Sequence, residues 1–131
     1  MKKKCFISLV FLTIIILFSC SISKSDYEGI WILIDDEYDF KVTFTFNESD
    51  FSWKNSKITS NEILSYLKGT IDKINSNTLK LTITQEYNLD TYSWQDTTKY
   101  GSNDISYEVN GDELTLYFLE DEDPIILTKE K

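Results

Sequence analysis

Apolar and polar residues alternate with a period of two along most of the chain beyond residue 26. Val42, Phe44 and Phe46 interleave with Lys41, Thr43 and Thr45; Leu79, Leu81 and Ile83 with Lys80, Thr82 and Thr84; Leu114, Leu116 and Phe118 with Glu113, Thr115 and Tyr117. The same period runs through Ile30, Ile32 and Ile34 and through Ile105, Tyr107 and Val109. Successive strand residues point to opposite faces of a sheet, so this period predicts strands with one face on a core and the other in water. Turn-forming residues stand between them: Asn47-Glu48-Ser49-Asp50, Asn75-Ser76-Asn77, and Asn110-Gly111, which suits a type I′ hairpin turn.

Eight strands result, at about 29–34, 41–47, 51–54, 64–73, 78–87, 103–109, 113–119 and 124–129. The segment after Thr59 has a second reading. Thr59-Ser60-Asn61-Glu62 has the form of a helix capping box, and Ile63, Leu64, Leu67 and Ile71 follow at helical spacing. A strand is favoured, with Gly69 marking a bend in a closing sheet. Two stretches, Gly69–Leu81 and Ser106–Leu116, both read strand, asparagine turn, strand, which is the signature of a meander. Eight meandering strands predict an all-β fold: a small antiparallel up-and-down barrel, with a filled interior or room for one small ligand.

The first 20 residues follow another pattern. Lys2, Lys3 and Lys4 precede an apolar run from Cys5 to Phe18, which ends at Leu17-Phe18-Ser19-Cys20. A cationic start, a short apolar stretch and a small residue before the break make a secretory signal. A spanning helix wants about 20 apolar residues, more than this run supplies. Leu17-Phe18-Ser19-Cys20 resembles the lipobox of bacterial lipoproteins, with Phe18 bulkier than the usual residue. The resemblance implies a signal peptide over 1–19, acyl chains on Cys20 and a tether over 20–26. The protein would then sit in the cell envelope, lipid-anchored, and in the outer membrane if the host is diderm.

Charge and composition narrow the chemistry. Loss of Lys2, Lys3 and Lys4 with the signal leaves 10 lysines against 22 acids, a charge of −12. Such a surface repels nucleic acid and anionic lipid headgroups. Cys20 would be the only cysteine left, so no disulfide could form within the domain and the core must hold by packing. Histidine is absent, which removes the common general base near neutral pH and the imidazole metal ligand. No nucleophile and base pair can be named, so catalysis is not expected, and no cofactor is implied.

Gly29-Ile30-Trp31, at the start of the first strand, matches the Gly-x-Trp of the first lipocalin strand, and residues 27–131 resemble the lipocalin-like domains of bacterial lipoproteins. In that family a basic residue near the chain end covers the tryptophan; Lys129 occupies that position here. The second lipocalin signature, Thr-Asp-Tyr, is absent. The resemblance implies a small apolar or amphipathic ligand, with Trp31, Phe44, Phe46, Trp53 and Tyr107 as candidate wall residues, which are equally plain core positions.

In an eight-strand meander alternate connections share an end. The long ones, 35–40, 55–63, 88–102 and 120–123, fall at one rim, and the short ones, 48–50, 74–77 and 110–112, at the other. The long-loop rim is acidic, with Asp35, Asp36, Glu37, Asp39, Asp90, Asp96, Glu120, Asp121, Glu122 and Asp123 beside Tyr92, Trp94 and Tyr100. A tether from Cys20 to Asp26 reaches at most about 25 Å, which would hold the short-turn rim toward the membrane. The acidic rim then either recognises a cationic protein partner or keeps the protein soluble. Glu120-Asp121-Glu122-Asp123 lacks the ligand spacing of a calcium loop, so no metal is expected. Two functions follow as expectations: a membrane-anchored binding protein for a small apolar molecule, or a filled barrel acting as an interaction or inhibitor module through its acidic rim.

Overall fold

The computed structural model of the protein describes residues 26–118 and 122–131; the expected signal peptide over 1–19, Cys20, Glu120 and Asp121 lie outside the described residues. Among these residues there are nine strands and no helix: β1 (Gly29–Asp35), β2 (Phe40–Phe46), β3 (Asp50–Ser56), β4 (Ile63–Asn75), β5 (Thr78–Asn88), β6 (Ser93–Asp96), β7 (Ser102–Asn110), β8 (Glu113–Tyr117) and β9 (Ile125–Lys129). Eight of them close a ring. Each of β1 to β5 pairs with the next, β5 with β7, β7 with β8, β8 with β9, and β9 with β1, every pair antiparallel. This is the eight-stranded up-and-down barrel that the alternation predicts, with one strand added. Its seam is narrow: β1 and β9 share the pairs Trp31↔Lys129 and Ile32↔Thr128, extended by the Glu130 N–H donating to the Ile30 carbonyl at 2.8 Å.

The alternation becomes burial on β2, where Val42, Phe44 and Phe46 are buried, and likewise at Leu79 and Leu81, Ile105 and Tyr107, and Leu114 and Leu116. On β1 the facing is the reverse of what the isoleucines suggest. Ile30 and Ile34 point outward, 42% and 49% exposed, while Trp31 is 0% exposed and shares a face with Phe44. Burying an indole removes more apolar area from water than burying an isoleucine, and one register cannot do both.

One stretch follows the favoured strand reading against its helical alternative, and another differs from the sequence expectation. The chain between Thr59 and Ile71 extends rather than coils: the Lys57 N–H closes a turn on the Glu62 carbonyl at 2.9 Å, and β4 runs on from Ile63 along β3. The stretch 88–102, expected as the longest loop, folds back as β6. It pairs Asn88↔Ser93 through Gln85↔Asp96, and the Thr97 N–H continues the ladder to the Thr84 carbonyl at 2.9 Å. Trp94 holds this hairpin to the outer wall, with its ring edge-on to Tyr66 at 4.8 Å and to Tyr87 at 5.2 Å.

Gly69 makes the closure of the wall possible. A Cβ there would overlap the Thr82 carbonyl and stand 2.7 Å from Phe51 Cε1, so the β4 backbone lies directly under the Phe51 ring. The register between β4 and β5 shifts between Lys68 and Gly69, a bulge that bends the strand around the barrel.

Candidate functional site

The closed rim is sealed by a tyrosine. Tyr27, just before β1, is 2% exposed and lies edge-on to Phe46 at 6.1 Å and to Tyr107 at 5.4 Å. Its hydroxyl donates to the Glu48 carbonyl at 3.2 Å, and its own carbonyl accepts the Trp31 Nε1–H at 2.9 Å. The Tyr107 hydroxyl spans the same end, within 3.0 Å of the Ser76 carbonyl and 3.3 Å of Asp26 Oδ1. Burial, and then the Asp26 charge, push the Tyr107 phenol up to about 12.

Above this plug aromatic rings pack on one another. Phe44 stacks on Phe46 at 5.6 Å and on Trp53 at 5.1 Å, and Phe118 tilts over Phe44 at 6.4 Å and Trp53 at 6.2 Å. Of the five candidate wall residues, Phe44, Phe46 and Trp53 form one stack, whereas Trp31 and Tyr107 pack toward the plug. Trp31, Phe44, Leu79, Leu114 and Leu127 are each 0% exposed, so no water-sized space opens against any of them. Lys129 Nζ stands 5.5 Å from the Trp31 ring centroid, and its stem fills the space over Gly29, whose φ of 134° a side chain rarely adopts.

Toward the open rim the lining becomes polar. The register sets Phe44, Trp53 and Leu67 in one rank and Val42, Asn55 and Ser65 in the next. In that second rank Trp53 Nε1–H donates to Asn55 Oδ1 at 3.0 Å, and Asn55 Nδ2–H to Ser65 Oγ at 2.9 Å. Leu33, paired with Val42, is 38% exposed at the mouth.

The rim loops are pinned to each other. Asp39, at a φ of 51°, accepts the Thr59 N–H at 2.9 Å and the Thr59 hydroxyl at 2.8 Å. These two bonds hold its carboxyl below the usual carboxylate range. Asp35 accepts the Tyr38 N–H at 3.3 Å and caps its own turn, while Asp36, Glu37, Glu122 and Asp123 are exposed. Among the described residues no three acids converge on a point where a cation would sit. The acids of this rim act as a field and as turn caps.

Three features of the rim escape the alternation pattern. One is β6, whose signal is the alternation of Tyr92 and Trp94 with Ser93 and Gln95. Another is the outer cluster of Tyr66, Tyr87 and Trp94, capped by Lys68 Nζ at 4.0 Å from the Trp94 centroid and by Lys54 Nζ at 5.6 Å from that of Tyr66. The third is a groove of about 390 Å³ lined by Asn61, Glu62, Ile63, Tyr87, Leu89 and Tyr92. A second recess, of about 490 Å³, lies at the opposite end, between Glu28, Asn47 and Lys129. The fold and site thus define a closed eight-stranded barrel with a packed interior and an elaborated rim. Comparison with protein families, with curated proteins and with solved structures finds no match to this chain.

Proposed function

We propose that this protein is a lipid-anchored interaction module of the cell envelope: a filled barrel that displays its long-loop rim away from the membrane, toward a cationic protein partner. The observation that carries the reading is the burial of four of the five candidate wall residues, Trp31, Phe44, Phe46 and Tyr107, at 4% exposure or less. Anchoring rests on Leu17-Phe18-Ser19-Cys20 and on the position of Asp26 at the closed rim, within hydrogen-bond reach of Tyr107. In a host with two membranes the same signal directs the protein to the outer one. The reading assigns the protein no catalysis.

A second reading, a small apolar ligand held at the mouth, is favoured by Leu33, which is 38% exposed, and by Trp53 and Phe118, which are only half-buried. Native mass spectra of the protein released from its own host's membrane separate the two. A mass equal to the lipidated chain alone fits the filled barrel. A retained adduct, lost on Trp53→Ala, would replace the first reading with the second.

A further inference from the structure

The outer wall of the barrel is charged everywhere except at the seam. β1 turns Ile30, Ile32 and Ile34 outward, and its neighbour β9 turns out Ile126 and Thr128. Among the described residues these are the two strands of the ring with no charged side chain on the outer face; the other six carry Lys41, Lys54, Asp72, Lys80, Glu108 or Glu113 there. The register widens the uncharged area. Thr45 and Thr43 are the Cα partners of Ile30 and Ile32, Thr115 is that of Ile126, and Ile32↔Thr128 carried two residues on sets Ile34 level with Ile126.

Every side chain of this wall is isoleucine or threonine, β-branched and short of rotamers to lose on contact. Ile30, Ile34 and Ile126 each keep close to half of their surface in water, and the core gives no reason for three isoleucines side by side outside it. The two flanks of the wall differ in sign. Lys41, with Lys54 behind it, stands on the β2 side, and Glu113, with Glu108 behind it, on the β8 side. Among the described residues none of these four enters an ion pair.

We propose that this wall binds a second copy of the chain, the two barrels packing seam against seam about a two-fold axis that runs along the barrel. The inference goes beyond the rim-binding reading above and takes from it only the shared membrane. Charge chooses both the occupant and the axis. A two-fold along the barrel turns the Lys41 flank of each copy toward the Glu113 flank of the other, whereas a two-fold across the strands would set lysine against lysine and glutamate against glutamate. The same axis leaves both closed rims on one side, where two tethers reach one membrane. A bilayer is a poor occupant, because the wall runs from rim to rim and hydrocarbon over it would draw in both charged flanks. The apolar area is a few hundred Å², against about 800 Å² per partner in a standard interface, and the net charge of −9 opposes approach. The pair is therefore weak in dilute detergent and forms where anchoring crowds the copies into one plane.

The test uses the whole protein in its own host's membrane, with one cysteine added to the wall and a short bis-maleimide as the linker. Ile32→Cys should give a linked product of doubled mass, and Thr84→Cys, on β5 across the barrel, should not. Thr128→Cys, the register partner of Ile32, repeats the measurement from β9 and covers a poorly folded first variant. The parent chain should not link. If it does, Cys20 is unacylated and the anchor fails apart from the wall; the variants are then remade with Cys20→Ser and read in detergent at raised protein concentration. Lys41→Glu and Glu113→Lys should each cut the Ile32→Cys product several-fold, the second even though it lowers the net negative charge, and the two together should restore it. Equal linking at positions 32 and 84, or none at 32 and 128, overturns the contact. A product of any mass other than the dimer overturns the second copy as its occupant. Linking that ignores both charge changes overturns the axis along the barrel.

Discussion

Lys129 and Trp31 are Cα partners across the β1–β9 seam, and the ammonium of one stands 5.5 Å from the ring centroid of the other. The lysine stem covers the indole while its Nζ faces the ring, and the indole N–H is spent on the Tyr27 carbonyl below. Last strand, first strand and plug are thereby tied in one contact. Lys129→Ala should cost about 1 kcal/mol in urea unfolding and shift the Trp31 emission to longer wavelength, whereas Lys129→Arg should keep most of both.

Gly69 sets a stricter limit. Gly69→Ala should destabilise the barrel by about 3 kcal/mol, because the new methyl meets the Thr82 backbone and not only the Phe51 ring. Trimming the ring should therefore not rescue it: the double variant Gly69→Ala with Phe51→Ala should unfold at lower urea than either single variant.

Alkali should unfold the closed end. Tyr107 is raised from 10.0 to about 12 in the folded protein, so an unfolded chain gives up this proton first. Its contribution is fully present below pH 10 and is lost as pH rises to about 12. Phenolate absorbance should show a tyrosine titrating near 12 that is absent in Tyr107→Phe, and the melting temperature should fall over the same window.

Acid acts at the other rim. The Asp39 carboxyl is depressed by its two bonds from Thr59, so the contact is complete above the ordinary value of 3.8 and is lost as pH falls through the lower folded value. Protection of the Thr59 amide, taken relative to its intrinsic exchange rate at each pH, should be high at neutral pH and fall on acidification. Asp39→Ala should lack this protection at every pH and leave the barrel amides protected.

Anchoring has its own check. The proposed anchoring predicts that Cys20→Ser abolishes incorporation of labelled fatty acid and leaves the chain uncleaved before residue 20. A protein still acylated after that change would remove the basis for placing the closed rim toward the membrane.

The barrel was legible because five of its eight strands carry their own period of two, and Asn110-Gly111 and Asn75-Ser76-Asn77 mark where two of the hairpins turn back. Pairing of Trp31 with Lys129 was reachable through the lipocalin resemblance, since both residues lie at fixed places relative to the chain's strands. Two things were not legible. The facing of β1 depends on which of several consecutive apolar residues wins the interior, a matter of area and register across the sheet rather than of local pattern. β6 is four residues long and is held by Tyr66, 28 positions upstream of Trp94, so its stability lies in a contact no local window contains. The groove follows from the same strand and was hidden with it.

The ring closes by joining its first strand to its last, through Trp31↔Lys129 and Ile32↔Thr128. Until Thr128 and Lys129 have been synthesised, β1 has one neighbour, Trp31 has no lid, and the sheet is an open ribbon with two bare edges. Contacts this far apart in sequence close late and make folding all-or-none. A nascent chain of this design therefore cannot complete its barrel while still being made. The same circularity that ties the finished barrel together leaves the unfinished chain open.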